Sequence, residues 1–409
     1  MRIAVWHNLP SGGGKRALHD HVRGLVARGH TVEAWCPPTA DREFLPLGPG
    51  VREHVVDLAL PIPWNRSDEW QITLKMERSI AAMEAHCRQC ATEIDAAGFD
   101  ILFANSCMFF GTNPIARFSG TPAVLYLQEP FRRNYEALPA LPWLARPRGA
   151  GSPWRPSTYR STFADLREMR NLRVQGREEA SNAAAFRRVL VNSYFSRESV
   201  LRAYGVDCDV CYLGIDTSLF TDRGLDRGDY VVGLGSITMA KDIGFCIEAV
   251  GAMAAPRPRL VWIGNSMDKD YLQKMHTLAD AKGVVFEAMV RISDDDLQGI
   301  LNRAAVMVYA PRLEPFGLAP LEANACGVPV VAVAEGGVRE TVVDGVTGLL
   351  VAHDPAAMAA GVTQLLQHPA LARRLGTNAR QAVESKWNLP SATDRIERYL
   401  ARYANVAQR

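Results

Sequence analysis

No stretch of this 409-residue chain approaches the roughly 18 consecutive apolar residues that a membrane-spanning helix requires. The opening Met1-Arg2-Ile3-Ala4-Val5-Trp6 reads as a first strand instead of a signal peptide. Net charge is nearly absent as well. With 46 Lys plus Arg against 44 Asp plus Glu the balance is +2, which excludes a nucleic-acid binder driven by overall charge. Cysteine is sparse: eight residues scattered through apolar segments, in a chain long enough to bury its own core, do not make a disulfide framework. Two C-x-x-C pairs, Cys87/Cys90 and Cys208/Cys211, imitate a zinc site. The first falls inside the helix-like run Met76–Ala97, and the second lies on an extended segment where positions three apart face opposite sides. Buried free thiols are expected at both, and the chain is placed in the cytoplasm.

What is there is a rhythm. Short apolar runs at Ile3–Trp6, Thr31–Trp35, Ile101–Ala104, Ala123–Leu127 and Val189–Asn192 alternate with helical patterns, as βαβ units do. A second series follows at Tyr230–Leu234, Arg259–Ile263, Val284–Phe286, Val306–Ala310 and Val328–Val333. The spacing predicts two doubly wound, Rossmann-like α/β domains, with a ligand in a cleft between them beyond the carboxyl ends of the strands. The polar run Thr221–Asp229 falls in the boundary zone, and the helix-spaced Ile396, Leu400 and Tyr403 mark a last helix.

One stretch departs from the rhythm. Residues 130–188 hold 12 Arg and no Lys against 5 acids, a local charge of +7 that leaves −5 for everything else. Its first part, Leu138–Leu144 through Trp154-Arg155-Pro156, mixes Pro, Trp, Leu and Arg in a way that suits neither helix nor central strand. Two readings stay open: a surface loop followed by a solvated arginine-rich helix, or a contact surface for a lipid-phosphate acceptor, another anionic acceptor or a bilayer face.

Two segments carry candidate chemistry. Gly12, Gly13 and Gly14 separate the first strand from the expected helix Lys15–Arg28, so backbone N–H groups and a positive dipole end form either an anion seat or a tight turn. In Ala310-Pro311-Arg312-Leu313-Glu314-Pro315-Phe316-Gly317-Leu318-Ala319-Pro320-Leu321-Glu322, the loop after a strand leads into a helix. Glu314 stands at the strand's mouth, Glu322 lies one turn beyond Leu318, and the N–H groups of Phe316, Gly317 and Leu318 cap the helix start. Two carboxylates beside oriented donors suit a polyhydroxyl ligand, because sugar hydroxyls donate to Glu while accepting from N–H. A glutamate near a helix start also serves as a dipole partner or cap. His7 and Asn8 could line an acceptor surface or act as structural hydrogen-bonders. The run Asp294-Asp295-Asp296 reads as a helix N-terminus capped by Ser293.

At this point the chain resembles the retaining glycosyltransferases of family 4, which have the GT-B fold. The resemblance rests on Glu314 and Glu322 around Pro-Phe-Gly, on Gly336-Gly337-Val338-Arg339-Glu340, and on Asp344-Gly345-Val346-Thr347-Gly348-Leu349-Leu350-Val351. Val191-Asn192-Ser193 and Tyr212-Leu213-Gly214-Ile215-Asp216 look like the family's middle motifs. It implies an N-terminal acceptor-side domain at 1–205, a nucleotide-sugar domain at 206–389, and a C-terminal helix at 390–409 packing back on the first domain. It also implies transfer of a sugar from a nucleoside diphosphate to an acceptor hydroxyl, without cofactor or metal. By position, Glu322 would bind the ribose, while Glu314, Phe316, Gly317 and Leu318 would hold sugar hydroxyls or phosphate. Lys241 would neutralise the diphosphate, with Gly13 and Gly14 closing on it. Base and sugar stay open between GDP and UDP donors, with a preference for GDP-mannose, because His7-Asn8 and Tyr126–Pro130 are similar to those of bacterial polysaccharide mannosyltransferases.

The chain departs from the family pattern in three places. Ser236 replaces the usual Arg before the lysine, so Arg312 or Lys15 is expected to supply the missing cation. Lys15 itself stands where many relatives carry Glu. Gln128 replaces a histidine near the reacting sugar; it can hydrogen-bond a hydroxyl but cannot accept a proton, and the donor phosphate is then the base. Neighbouring Glu129 reads either as an acceptor contact or, the preferred reading, as a surface loop carboxylate. Two alternatives remain: a nucleotide-sugar 2-epimerase, for which no acid/base pair is identifiable, and a non-catalytic nucleotide-sugar-binding relative, prompted by Ser236 and Gln128.

Overall fold

The computed structural model describes residues 1–60, 75–135 and 156–404. The chain forms two compact units: Met1–Asn192 with Ser196–Cys211 and the chain from Ile396 on, and Ser193–Phe195 with Tyr212–Arg395.

Seven strands build the first unit: β1 (Arg2–Asn8), β2 (Thr31–Cys36), β3 (Arg52–Val55), β4 (Ile101–Cys107), β5 (Ala123–Tyr126), β6 (Arg188–Val191) and β7 (Asp209–Val210). They lie in the order β3-β2-β1-β4-β5-β6-β7, all parallel. The second unit has β8 (Tyr230–Leu234), β9 (Arg259–Gly264), β10 (Phe286–Val290), β11 (Val306–Tyr309), β12 (Val330–Val333) and β13 (Gly348–Val351). Their order is β10-β9-β8-β11-β12-β13, again all parallel. Both units therefore have the doubly wound, Rossmann-like topology, and strands covered by helices on both faces explain the unbroken apolar runs of β1, β4 and β12.

The differences from the sequence reading have local causes. β3 reads Arg-Glu-His-Val and β7 has two residues; both are edge strands with no apolar run to reveal them. β10 starts at Phe286 because Val284 still belongs to the preceding helix end. The Val284 N–H bonds back to the Ala279 carbonyl across left-handed Gly283. The expected exchange of domains at 205/206 moves to Cys211–Tyr212, since β7 pairs with β6 and extends the first sheet. The return moves from 390 to Ile396, inside the helix Leu389–Tyr403. That helix is held by Ile396 and Leu400, both fully buried, by Glu397 with Arg28 (2.5 Å) and His30 (2.7 Å), and by Tyr403 with Asp209 (2.9 Å).

All eight cysteines are free and buried. Burial pushes the Cys208 thiol up to about 12 and raises those of Cys87 and Cys90 as well. Of the arginine-rich stretch, residues 136–155 lie outside the described residues. Of the rest, Arg132–Tyr135 forms a short helix, Pro156–Ala185 a long one, and Arg188 opens β6. Ser293 caps the helix Asp294–Arg303 by accepting the Asp296 N–H at 3.1 Å.

One buried carboxylate went unremarked in the sequence. Glu179, fully buried in the helix Pro156–Ala185, accepts from the Gly111 N–H (2.9 Å), Gln175 Nε2 (2.8 Å) and the Tyr204 hydroxyl (2.8 Å). Burial raises its pKa while these donors oppose the shift. It ties Gly111, and through its backbone carbonyl Thr112, to the helix. Glu179→Ala should destabilise the first unit by about 2 kcal/mol, because it strands three donors in the interior. Tyr204→Phe should cost about half as much, both read as lowered midpoints in urea unfolding.

Candidate functional site

The second unit's site starts where β11 ends. Left-handed backbone at Leu313 (φ 50°) and Gly317 (φ 94°) turns the chain into the helix Leu318–Ala325. Gly317, as the residue before the helix, offers no side-chain oxygen, so no side chain caps the first-turn N–H groups. Those donors and the dipole's positive end make an anion-favouring spot. The Phe316 ring turns inward: it is 3% exposed and packs with Tyr212 (centroids 6.2 Å apart) and Trp387 (5.7 Å). Only its backbone is left for a ligand. Glu322 lies within the helix and is 6% exposed.

Gly336 and Gly337 brace this loop from behind. A Cβ on Gly336 would lie 2.3 Å from the Glu314 carbonyl oxygen, and one on Gly337 would lie 2.1 Å from that of Pro315. The Gly337 N–H donates to the Glu314 carbonyl at 2.8 Å. Ser193 Oγ donates to the Pro315 carbonyl at 2.5 Å. Glu340 accepts the backbone N–H groups of Tyr194 and Phe195, both at 3.0 Å, and the Tyr212 hydroxyl at 2.8 Å. Motif residues known only from resemblance thus acquire a physical role, which is to position the 313–317 segment.

Lys241 ends the 3-10 turn Met239–Lys241 after β8. Its Nζ lies 2.8 Å from Glu314 Oε2, with both side chains 22% exposed. Its stem lies against Gly235 (φ 150°), where a Cβ would meet three of its methylene carbons at 3.3 Å. The structure therefore pairs Lys241 with Glu314; Phe316–Leu318 follow Glu314 along the chain, and Glu322 lies four residues into the helix. Ser236 has no cationic replacement beside it from the residues expected to supply one. Arg312 is clamped by Glu335 through two bonds of 2.7 and 2.9 Å and is not a spare charge. Lys15 is fully buried in the first unit.

In the first unit, Gly13 and Gly14 open the helix Gly13–Ala27, with Gly12 (φ 141°) before it and no side-chain cap. Gln128 lies against this helix start: a Cβ on Gly14 would stand 3.2 Å from Gln128 Nε2. The Gln128 backbone carbonyl accepts from Ser196 Oγ at 2.8 Å. Glu129 pairs with Arg132 at 2.9 Å, as a loop carboxylate does. His7 is fully buried instead of lining an acceptor surface. Burial, then the nearby Lys15 charge, lowers its pKa to about 3.

Comparisons with known proteins identify the family. The family model for glycosyl transferases group 1 matches residues 221–382, and that for glycosyltransferase family 4 matches residues 11–219. An alpha-1,3/1,6-mannosyltransferase of Rhizomucor pusillus is 38% identical over 119 residues, 29% of this chain and 26% of that protein. A D-inositol 3-phosphate glycosyltransferase of Thermomonospora curvata is 30% identical over 258 residues, 55% of this chain and 58% of that protein. The matches thus span from about a quarter to somewhat over half the length of these curated relatives. Among solved structures, sucrose-phosphate synthase from Thermosynechococcus elongatus shares the fold at a TM-score of 0.71 and 19% identity, covering 98% of this chain and 99% of that one. The Anabaena protein HepE, crystallised with UDP and glucose, does so at 0.68 and 17%, covering 98% and 100%. With one family model spanning just over half of its residues and a second covering most of the remainder, the chain belongs to glycosyltransferase family 4, with GT-B architecture.

Proposed function

We propose that the protein transfers a sugar, with retention of anomeric configuration, from a nucleoside diphosphate to an acceptor hydroxyl. The observation that carries this reading is the Lys241 ammonium held 2.8 Å from Glu314 in the same unit as the uncapped N-terminus of Leu318–Ala325. The departing nucleoside diphosphate gains negative charge in the transition state. An ammonium and oriented backbone N–H groups stabilise that charge without a metal ion at the diphosphate. Glu314 then exchanges part of its bond with Lys241 for sugar hydroxyls, and Glu322 accepts from the ribose hydroxyls.

Neither Gln128 nor His7 of the first unit serves as a side-chain base. Gln128 cannot take a proton, and His7, with its pKa near 3, is buried and neutral at physiological pH. The bond between the anomeric carbon and the diphosphate oxygen breaks while the acceptor oxygen attacks on the same face. The acceptor's proton passes to the departing phosphate oxygen. Gly13 and Gly14 supply backbone N–H groups to the diphosphate, and Gln128 hydrogen-bonds a sugar hydroxyl. GDP-mannose is the first donor to test and UDP-hexoses the second. HepE, of the same fold, holds UDP and glucose.

The acceptor reading rests on the helix Pro156–Ala185. Tyr159, Phe163, Leu166 and Met169 are each at least half exposed and recur at helical spacing, beside exposed Arg170, Arg173 and Arg177. Such a face suits an anionic lipid surface carrying a lipid-phosphate-linked acceptor. No helix among the described residues is long and apolar enough to cross a membrane.

Three outcomes are expected. A donor at 100 times its dissociation constant should stabilise the protein by about 2.7 kcal/mol, and Glu322→Ala should remove most of the corresponding melting shift; an undiminished shift takes the ribose role from Glu322. Lys241→Ala should lower kcat by about 100-fold to 1,000-fold, with omission of divalent salts leaving the unmutated enzyme's rate unchanged and donor alone remaining unisomerised. Leu166→Ser with Met169→Ser should weaken co-sedimentation with anionic vesicles several-fold while leaving donor binding intact; equal binding removes the helix from the acceptor reading.

A further inference from the structure

β1, β2 and β3 carry three metal-binding side chains on one face of the first sheet. Trp6 pairs with Trp35, so His7 and Cys36, one residue further along each strand, stand side by side. Glu53 pairs with Ala34, and Ala34 shares its face with Cys36. One donor atom from each of His7, Cys36 and Glu53 lies within 4.8 Å of the others, and no other group of three is found among the described residues. His7 and Cys36 are fully buried. Both ring nitrogens of His7 and Oε2 of Glu53 lack any hydrogen-bond partner. A buried imidazole with neither nitrogen satisfied is rare, because it forfeits its hydration and receives nothing in exchange.

We propose that His7, Cys36 and Glu53 bind a divalent transition-metal ion, with Zn2+ the first candidate. An imidazole nitrogen, a thiolate sulfur and a carboxylate oxygen are zinc's usual donors, and the thiolate disfavours Mg2+ and Ca2+. Binding gives one His7 ring nitrogen and Glu53 Oε2 a partner and releases the Cys36 proton to solvent. Lys15 is the competing cation. Fully buried and itself without a hydrogen-bond partner, it interacts electrostatically with His7, Cys36 and Glu53. This site lies apart from the donor chemistry of Lys241 and Glu314 and does not depend on it. Its effect is to pin β1, β2 and β3 to one another close to the end of β1, shortly before the Gly12–Gly14 turn.

The deciding experiment is titration of the full chain, freed of metal, with Co2+. The expected result is one equivalent bound, with a near-ultraviolet thiolate-to-cobalt band that Zn2+ displaces. Cys36→Ala should abolish that band, and Glu53→Gln, at a partly exposed position that does not threaten the core, should weaken binding at least about tenfold. Circular dichroism checks that both variants fold. Absence of the band, its persistence in folded Cys36→Ala, or unchanged affinity in Glu53→Gln overturns the assignment. None of these readouts uses sugar transfer, so failure here leaves the transferase reading untouched, and the reverse holds.

Discussion

The backbone of Gly336 and Gly337 lies so close to the 313–316 segment that no side chain fits between them. This approach sets the loop's path, and the loop's path aims Glu314 at Lys241. The bond from the Gly337 N–H to the Glu314 carbonyl and the inward anchoring of Phe316 beside Tyr212 and Trp387 hold it from two further sides. Gly235 does the corresponding service for Lys241, whose stem runs over a position where any Cβ would crowd it. The charged pair is thus placed by contacts that involve almost no charge.

That division matters because the pair itself adds little to stability. Partly exposed ion pairs contribute about 0–1 kcal/mol, since hydration competes with the partner and salt screens the attraction. Their worth lies in position. In the proposed reaction, an ammonium fixed in advance meets developing negative charge without having to move, which is the condition under which such groups accelerate a reaction. Arg312 shows the contrast: engaged by Glu335 through two bonds, it is a structural cation, while the 2.8 Å contact of Lys241 with Glu314 is a single bond.

Two buried polar clusters of the first unit have opposite hydrogen-bond outcomes. Glu179 is surrounded by three donors and works as a knot between loop and helices. His7 and Lys15 are equally buried, yet their side-chain nitrogens have no partner. A polar group taken out of water costs free energy in proportion to what it fails to regain. The first cluster is therefore complete as it stands, and the second is chemically open.

The alternation of apolar runs and helical patterns determined by itself that the chain would build two parallel sheets, because strands buried on both faces must be apolar throughout, and β1, β4, β8 and β11 are legible for that reason. Glycine and proline around Glu314 likewise marked a strand-to-helix loop, since only a few backbone paths accommodate them. The edge strands β3 and β7 were illegible, because edge positions tolerate Arg, Glu and Asp. So were Glu179, Glu340 and the unpartnered His7, whose roles depend on residues distant in the chain: Gly111, Tyr212 and Cys36. Tertiary structure alone decided that Lys15 and Arg312 are not spare cations and that Phe316 offers only its backbone. A side chain's charge is written in the sequence, but whether that charge is hydrated, paired or stranded depends on which segments fold against it.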